Sequence, residues 1–265
     1  MPMPVMPRRY GAVNWRGLWT LCLRDLHRAR KNFRYSVLGP VVSNLLLLAV
    51  FAMAQGRSGR YVGDLTFLQF LVPGLIIFAV CECAYSTSSE SLLFDKMEGM
   101  IADTLMAPLT PTELTIGYAC GSAAMGLITG AAVALPMLLF IELPMPSLTL
   151  ILFFAAGGAF MHGLLGILVG LWAERWDHHA AAMTFIVIPF GFLSGTFYSV
   201  AALPALAERA ARLNPVFYVI DGFRAGSTGH ADGSPLAGLI VVTLVVLALA
   251  ACAHRLFRIG YKLKP

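Results

Sequence analysis

The chain has few charged residues. Asp, Glu, Lys and Arg make up 12% of its 265 residues, whereas hydrophobic residues make up 58% and the mean hydropathy is +0.76. A soluble domain carries about 25% charged residues. The composition therefore excludes a water-soluble globular protein and indicates an integral membrane protein.

The sequence also lacks a disulfide framework, a set of metal ligands and an ATP-binding motif. The five cysteines form no disulfide framework, because four lie in apolar stretches and Cys22 lies in a basic segment. Cys81-Glu82-Cys83 has no second ligand pair, so we expect ordinary residues of a membrane span there and no metal. The chain contains no Gly-Lys pair and therefore no P-loop for holding ATP phosphates. We expect no catalytic residue and no cofactor in this chain.

Long apolar stretches dominate the sequence. A helix needs about 20 mostly apolar residues to cross a bilayer, because unpaired backbone groups are costly in hydrocarbon. We predict an all-α membrane protein without a sheet. Its six predicted spans are Ser36–Ala54, Phe67–Ser88, Leu114–Ile141, Leu148–Trp172, Ala180–Tyr198 and Leu236–His254.

Prolines in two of these spans predict irregular helices. The third span is long enough to tilt or to break near Pro136, and the fifth contains Pro189 and Gly191, where we expect a kink. We predict residues 1–35 to form a cytoplasmic tail with an interfacial helix. Residues 36–265 are predicted to form one six-helix membrane domain, with the first span retained rather than cleaved.

The basic residues predict the orientation. With both termini cytoplasmic, the inner segments hold 14 of the 19 lysines and arginines and the outer segments hold 5. This agrees with the positive-inside rule. The net charge of +5 therefore reflects topology and contact with anionic lipids, and nucleic acid is a poorer explanation.

The segment before the first span predicts an amphipathic helix on the inner membrane surface. The alternative is a solvated helix that packs on a soluble partner. Its apolar face consists of Trp15, Leu18, Trp19, Cys22, Leu26, Ala29 and Phe33, and its other face carries Arg16, Thr20, Arg24, Arg28 and Lys31.

The inner loop of about residues 89–113 predicts a short amphipathic helix that ends before Pro108 and Pro111. Its methionines suit the groove of a partner protein, because unbranched thioethers adapt to irregular pockets. A solvated connector is the alternative. The residues of interest are Asp95, Met97, Glu98, Ile101, Asp103, Leu105 and Pro108.

The outer segment of about residues 199–235 is too polar to span the bilayer and too apolar for a free loop. We predict a re-entrant pair of short helices hinged at Asn214-Pro215, covered by neighbouring helices. A helix lying on the outer surface is the alternative. Asp221 and Arg224 are three residues apart, so they are expected on one helix face, where they could pair.

Glu82 lies inside a predicted span, where a charged and unpaired acid costs several kcal/mol. It could relay protons, contact a substrate, sit neutral, or lie near a water-filled vestibule. Two other functions remain open from the residues alone. Glu82 and His162 could serve a proton-coupled secondary transporter, and Ser194 with His162 could serve an intramembrane hydrolase.

A set of local motifs occurs in order along nearly the whole chain. They are Phe70-Leu-Val-Pro-Gly-Leu75, Ala107-Pro-Leu-Thr-Pro111, Ile116-Gly-Tyr118, Gly170-Leu-Trp-Ala-Glu-Arg-Trp-Asp177, Gly195-Thr-Phe-Tyr-Ser199, Leu203-Pro204, Leu213-Asn-Pro-Val-Phe-Tyr218 and Asp221-Gly-Phe-Arg224. As a set, these motifs resemble the permease subunits of type-2 ABC exporters. The branch with nodulation-factor exporters and their drug or polysaccharide relatives is the most similar.

The resemblance implies a homodimer of six-span permeases with two copies of a separate ATPase subunit, which binds ATP and Mg. It implies a surface helix at about Asn14–Tyr35, an ATPase-coupling region at Asp95–Pro111 and an outer re-entrant gate at about Ala201–Gly226, with Asn214, Pro215, Tyr218, Asp221 and Arg224. It implies export of a lipid-like, glycolipid, polysaccharide or drug substrate across the inner membrane.

Glycines at four-residue spacing allow close helix approach in several spans. Such pairs serve either packing within one subunit or the seam between two copies. The pairs are Gly117/Gly121, Gly126/Gly130, Gly166/Gly170 and Gly191/Gly195.

Overall fold

The computed structural model describes residues 13–31, 34–55 and 61–263, and these residues are mostly helical. The described α-helices are α1 Trp15–Lys31, α2 Gly39–Gln55, α3 Phe67–Met97, α4 Ile101–Met106, α5 Pro111–Leu138, α6 Leu148–Trp172, α7 Trp176–Ala182, α8 Ile188–Phe192, α9 Ala205–Leu213, α10 Pro215–Thr228 and α11 Pro235–Ile259. The predictions for residues 1–12 and Phe33, and for the side chains of Ala29 and Lys31, lie outside the described residues.

Five helices in the described ranges are long and apolar enough to cross a membrane. They are Ser36–Ala54, Phe67–Met97, Pro111–Leu138, Leu148–Trp172 and Pro235–Ile259. The first and the fourth have the predicted bounds, and the prediction of a helical membrane protein is confirmed. We call the end of the bundle that holds α1 and α4 the inner end, after the predicted orientation, and the opposite end the outer end.

Helix α3 is the centre of the bundle and is longer than predicted. It continues from the predicted end at Ser88 to Met97, because the side chains of Leu92 and Leu93 in this extension are fully buried. The helix begins at a capping box in which Thr66 and Gln69 bond each other. Gly99, in the left-handed conformation at φ +72°, turns the chain into α4.

The predicted fifth span, Ala180–Tyr198, has other bounds in the structure, and its irregular part begins before Pro189. The helical run begins at Trp176 and contains a π turn at Met183–Val187 before α8, which ends at Phe192. Pro189 lacks an N–H, and its ring clashes with the carbonyl four residues earlier. The regular pattern of helical hydrogen bonds is therefore interrupted there. By contrast, α5 passes through Pro136 and continues to Leu138 without a break.

The expectation of no sheet is also wrong. Two short antiparallel strands, β1 Tyr61–Val62 and β2 Leu65–Thr66, form a hairpin before α3. Aromatic and β-branched residues favour extended backbone, and Gly63 adopts φ +61° in the two-residue turn between the strands. The hairpin is a local exception in an otherwise helical fold.

The predicted glycine pairs contact other helices of the same chain. A Cβ on Gly117 would approach the Leu21 side chain of α1 to 2.6 Å, and one on Gly121 would approach the Cys22 carbonyl oxygen to 3.1 Å. Gly126 and Gly130 face Val80 of α3, Gly166 and Gly170 also face α3, and Gly191 faces Phe78. Gly195, at φ +78°, serves a turn instead. These glycines therefore allow close packing within one subunit.

We expect Gly126→Val to destabilise the protein. A Cβ at this position would lie 2.6 Å from the Val80 carbonyl oxygen, so α3 and α5 would be forced apart. Overpacking of this kind costs about 1–3 kcal/mol of unfolding free energy. Thermal unfolding of the detergent-solubilised protein measures the loss. Ala131→Val on the exposed side of α5 is the control, and an equal effect of both substitutions would contradict the packing role of Gly126.

Candidate functional site

Helix α4 presents an apolar surface at the inner end. Of its six residues, all of them described, Ile101 is the buried one. Leu105 and Met106 are exposed, Met106 to 76%, and Met97 at the end of α3 is exposed beside them. Exposed methionine and leucine side chains on a helix of this size are typical of a contact with another protein.

A groove of about 600 Å³ runs along α4. Its walls come from the end of α3, from α4, from the turn after α6 and from the residues after α11. The lining residues are Lys96, Met97, Gly99, Ile101, Ala102, Leu105, Met106, Glu174, Lys262 and Leu263. The groove therefore joins the surface of α4 to the ends of three spanning helices.

The predicted coupling residues separate into two groups. Met97, Glu98, Asp103, Leu105 and Pro108 are exposed around α4, as a partner contact requires. Ile101 instead faces the interior, where it anchors α4. Asp95, also predicted for the coupling region, lies apart from this exposed surface, because its side chain is only 1% exposed and bonds to charged residues of α1.

Asp95 is the centre of an ion-pair cluster between α1, α3 and α5. Its Oδ2 accepts from Arg24 Nη1 at 2.7 Å and from the Tyr118 hydroxyl at 3.0 Å, and its Oδ1 accepts from Arg28 Nη2 at 2.9 Å. Ser91, one turn earlier on α3, accepts from both arginines and donates to Asp25 at 2.9 Å. A paired and hydrogen-bonded carboxylate can be buried at acceptable cost.

Helix α1 therefore lies on the protein rather than on lipid alone. Leu21 and Asp25 form its buried side, while Trp15 is 70% exposed and Trp19 62% exposed. The prediction that Arg24 and Arg28 face lipid headgroups is wrong, because the acidic end of α3 provides closer partners. Burial raises the pKa of Asp25 above its usual range, although Arg24 opposes this shift. The sequence signal for the cluster was Asp95, an acidic residue that follows the buried apolar pair Leu92 and Leu93 on α3.

A second contact joins α1 to the start of α5. Glu113 Oε1 accepts from the Asn14 backbone N–H at 2.6 Å, and its Oε2 accepts from the Thr110 backbone N–H at 2.7 Å. Asn14 Nδ2 donates to the Pro108 carbonyl oxygen at 3.2 Å. The connection from α4 to α5 is therefore held against α1.

The outer segment contains the two short helices expected on either side of Asn214-Pro215, and their re-entrant placement stays a prediction. Helix α9 ends at Leu213, and α10 begins at Pro215. Asn214 is the hinge: its Oδ1 accepts from the Val216 N–H, and its Nδ2 donates to Ser194 Oγ at 2.7 Å. Proline at the first position of α10 suits a helix start. Tyr218 packs edge-on against Phe217 on this helix.

Asp221 and Arg224 do not form the predicted ion pair within the described residues. Asp221 instead accepts from the backbone N–H groups of Asp232 and Gly233, at 2.7 and 2.9 Å. Arg224, fully buried, donates to the Phe70 carbonyl at 3.2 Å and to the Gly195 carbonyl at 2.7 Å. Its guanidinium also lies 3.7 Å from the centre of the Phe70 ring.

Asp232 also holds the outer segment in place. We define the outer clamp as Asp221, Arg224 and Asp232 together with their hydrogen-bond partners. Its carboxylate accepts from the Ser199 hydroxyl at 2.8 Å and from the Val200 N–H at 2.7 Å. The clamp ties α10 to the start of α3 and to the turn after α8. Sequence reasoning missed Asp232, because its partners come from a segment more than thirty residues away.

Glu82 lies on the side of α3 that faces α7 and α8. Phe78, one turn before it, packs on Phe192, and Tyr85, about one turn after it, stacks on His179. Glu82 and Ser86 are half-buried, and Glu90 continues their row to the inner end. His179 Nε2 lies 3.5 Å from Glu90 Oε1. The polar row extends from the middle of α3 to its inner part.

The pairings considered for other activities are not formed among the described residues. Ser194 donates to the Phe190 carbonyl and accepts from Asn214, whereas His162 Nδ1 bonds the Gly158 carbonyl oxygen at 3.0 Å. The hydrolase hypothesis required a hydrogen bond between serine and histidine. Cys83 Sγ contacts the Thr129 hydroxyl at 3.2 Å, and Cys81 packs against Gly158.

Known proteins resemble the chain over most of its length. A family profile described as "ABC-2 type transporter" matches residues 16–227. The chain is 30% identical to the inner membrane transport permease YadH of Escherichia coli K12 over 241 residues, covering 89% of this chain and 93% of that protein. It is 25% identical to Nodulation protein J of Rhizobium leguminosarum bv. trifolii over 264 residues, covering 94% and 96%.

Family membership agrees with the resemblance stated from the local motifs. It also agrees with the apolar spanning helices and with the surface of α4 at the inner end. The chain belongs to the ABC-2 type transporter family and is a membrane permease component of an ABC transporter.

Proposed function

We propose that this chain is the membrane subunit of an ATP-driven export complex and that α4 receives the force of a separate ATPase subunit. The observation that supports this most directly is the apolar surface of α4 at the inner end, beside an ion-pair cluster that joins α1, α3 and α5. A displacement of α4 would therefore be passed directly to the joined helices α1, α3 and α5. ATP and Mg would be bound by the partner subunit.

The proposed topology has six crossings and two cytoplasmic termini. Five crossings would be the long apolar helices, and the sixth would be the irregular run from Trp176 to Phe192. Helices α9 and α10 would dip into the outer leaflet and return. Their backbone break at Asn214 is satisfied by hydrogen bonds, which is the condition for irregular backbone at membrane depth. The positive-inside bias supports the orientation.

The complex would contain two copies of this chain and two ATPase subunits. Support comes from the apolar side of α2, where Val42, Leu46, Val50 and Met53 are exposed in the single chain. Either lipid or a second copy can cover such a face. Since the glycine pairs serve packing within one chain, we propose that the seam between copies uses larger side chains.

The proposed substrate class is a lipid-like, glycolipid, polysaccharide or drug molecule, and the proposed location is the inner membrane. A relative named as an inner membrane transport permease supports the location, and the resemblance of the local motifs to nodulation-factor exporters and their relatives supports the substrate class. The polar row of Glu82, Ser86 and Glu90 would line part of the path, because a half-buried acid in a span favours a wet cavity over lipid. Opening would occur between two copies, by alternating access or as a channel.

The double variant Glu98→Ala/Leu105→Ala should abolish transport-coupled ATP hydrolysis while the protein still inserts. Both side chains are exposed, so the fold loses no buried contact. ATP hydrolysis by the reconstituted complex measures the effect. The matched control is Glu142→Ala/Leu236→Ala, which removes the same two exposed side-chain types at the outer end. Unchanged transport in the first variant would count against α4 as the coupling element.

Asp95→Asn should loosen α1 from the bundle. It leaves Arg28 without its anionic partner and Arg24 with only the more distant Asp25, at 3.8 Å, and unsatisfied groups of this kind cost about 1–3 kcal/mol. A lower thermal midpoint and faster proteolysis near α1 are the expected results. Asp177→Asn is the control, because its ion pair with Arg175 is exposed. Equal midpoints for both variants would show that the cluster does not hold α1.

Glu82→Gln should lower the outward movement of a fluorescent lipid probe while the complex still assembles. The substitution keeps the size of the side chain and removes its ability to carry a negative charge. The measurement is the transport rate in vesicles that contain the purified complex with ATP. Ser86→Ala, which removes a hydroxyl one turn away, tests whether the row acts as a whole. Wild-type transport by Glu82→Gln would eliminate a role for this acid in the path.

A further inference from the structure

The chain after the last spanning helix folds back beneath the bundle. Gly260 ends α11 in the left-handed conformation at φ +67°, and its N–H bonds the Phe257 carbonyl. The Leu263 N–H then bonds the Gly260 carbonyl at 3.3 Å. This turn directs the chain back toward the inner ends of other helices. We call residues Gly260–Leu263 the C-terminal hook.

Two side chains attach the hook. Leu263 is 3% exposed and belongs to the inner hydrophobic cluster that also contains Ile101 of α4, Leu171 of α6 and Phe257 of α11. Lys262 donates to the Trp172 carbonyl oxygen at the end of α6, at 3.2 Å, and forms a 2.6 Å ion pair with Glu174. A cation at a helix C-terminus also interacts favourably with the helix dipole.

The hook lies in the same hydrophobic cluster as the anchor of α4. Ile101 is the buried residue of α4, and it shares both its hydrophobic cluster and the groove along α4 with Leu263. Across the same groove, Lys96 of α3 donates to the carbonyls of Gly170 and Leu171. The hook, α4 and the end of α6 therefore meet around one groove.

We propose that Lys262 and Leu263 are positioning residues for coupling: they hold α4 to the inner ends of α6 and α11, so that force applied to α4 reaches these two helices. This inference rests on the proposed function of α4. The hook adds a second route to the last span, beside the stacking of Tyr118 of the ion-pair cluster on Phe257 of α11. Leu263 provides the packing, and Lys262 fixes the direction of the hook.

The ion pair between Lys262 of the hook and Glu174 depends on pH. The hydrogen bond from Lys262 lowers the pKa of Glu174, and Glu174 raises the pKa of Lys262. Because the carboxyl pKa is lowered in the fold, the ion pair is present above the ordinary pKa of glutamate. It is lost as the pH falls through the lowered pKa. The ion pair between Lys262 and Glu174 is therefore present at neutral pH.

The test measures how a conformational change driven by ATP at the inner end reaches the outer segment, and it does not require the natural substrate. A cysteine at Leu206, which is 84% exposed on α9, is introduced into a chain whose own five cysteines are replaced. The complex with its ATPase subunit is labelled with a soluble maleimide in the presence and absence of ATP. Lys262→Gln and Leu263→Ala are expected to reduce the ATP-dependent change in labelling rate about three- to tenfold, the range of modest coupling energies.

Control variants and measurements show whether the hook positions α4, stabilises the fold or binds the ATPase subunit. Lys262→Arg should restore the ATP-dependent change, since arginine can bond both the carbonyl and the carboxylate. Arg258→Gln removes an exposed charge one turn earlier on α11 and should leave that change at the wild-type level. The thermal midpoint and the amount of bound ATPase should be unchanged in Lys262→Gln, because exposed ion pairs contribute little stability.

The outcomes distinguish the hook from the proposed function. If Lys262→Gln and Leu263→Ala transmit normally while Glu98→Ala/Leu105→Ala does not, the hook proposal is wrong and the coupling role of α4 stands. If Lys262→Gln loses the bound ATPase, the hook serves docking, and its positioning role is wrong. If the wild-type complex shows no ATP-dependent change, transmission from α4 to the outer segment fails, and the hook proposal fails with it.

Discussion

The carboxylate of Asp95 is the constraint on which the inner end depends. It accepts hydrogen bonds from two arginines of α1 and from Tyr118 of α5, and it belongs to the central helix α3. Separating these groups would leave buried charges without partners, which is costly in a medium of low polarity. These contacts therefore hold the three helices together as one unit. Helix α4 follows α3 after a three-residue turn, so its position is set by the same unit.

Helix α3 connects the two ends of the molecule. Its 31 residues span about 46 Å at 1.5 Å per residue, enough to cross the bilayer and project beyond it. At its inner end it carries Asp95, and at its outer end the Phe70 carbonyl accepts from the buried Arg224. Glycines of α5 and α6 bring those helices against its backbone. A rigid rod fixed at both ends transmits displacement better than a chain of loosely packed elements.

Several features of the fold were predictable because they depend on local chemistry. Apolar stretches of sufficient length specified the first and fourth spans to the residue, and Asn214-Pro215 specified the hinge between α9 and α10. The hydrogen-bond and ion-pair partners of the polar side chains were not predictable in the same way. Arg24 and Arg28 have the spacing of a lipid-facing basic stripe, but Asp95 lies about seventy residues later and only the folded chain brings it near. Likewise, Asp221 and Arg224 share a helix face, yet backbone groups from other segments are their actual partners.

The sequence alone determined that the protein is a helical membrane protein, where most spanning helices lie, and which family it resembles. These properties follow from hydrophobicity, from proline and glycine positions and from local motifs, all of which act within one or two turns of chain. The tertiary structure decided which polar side chains meet, that the glycine pairs serve packing within one subunit, and that the C-terminal hook reaches α4. Such contacts join residues far apart in sequence, and their partners are chosen by the geometry of packed helices.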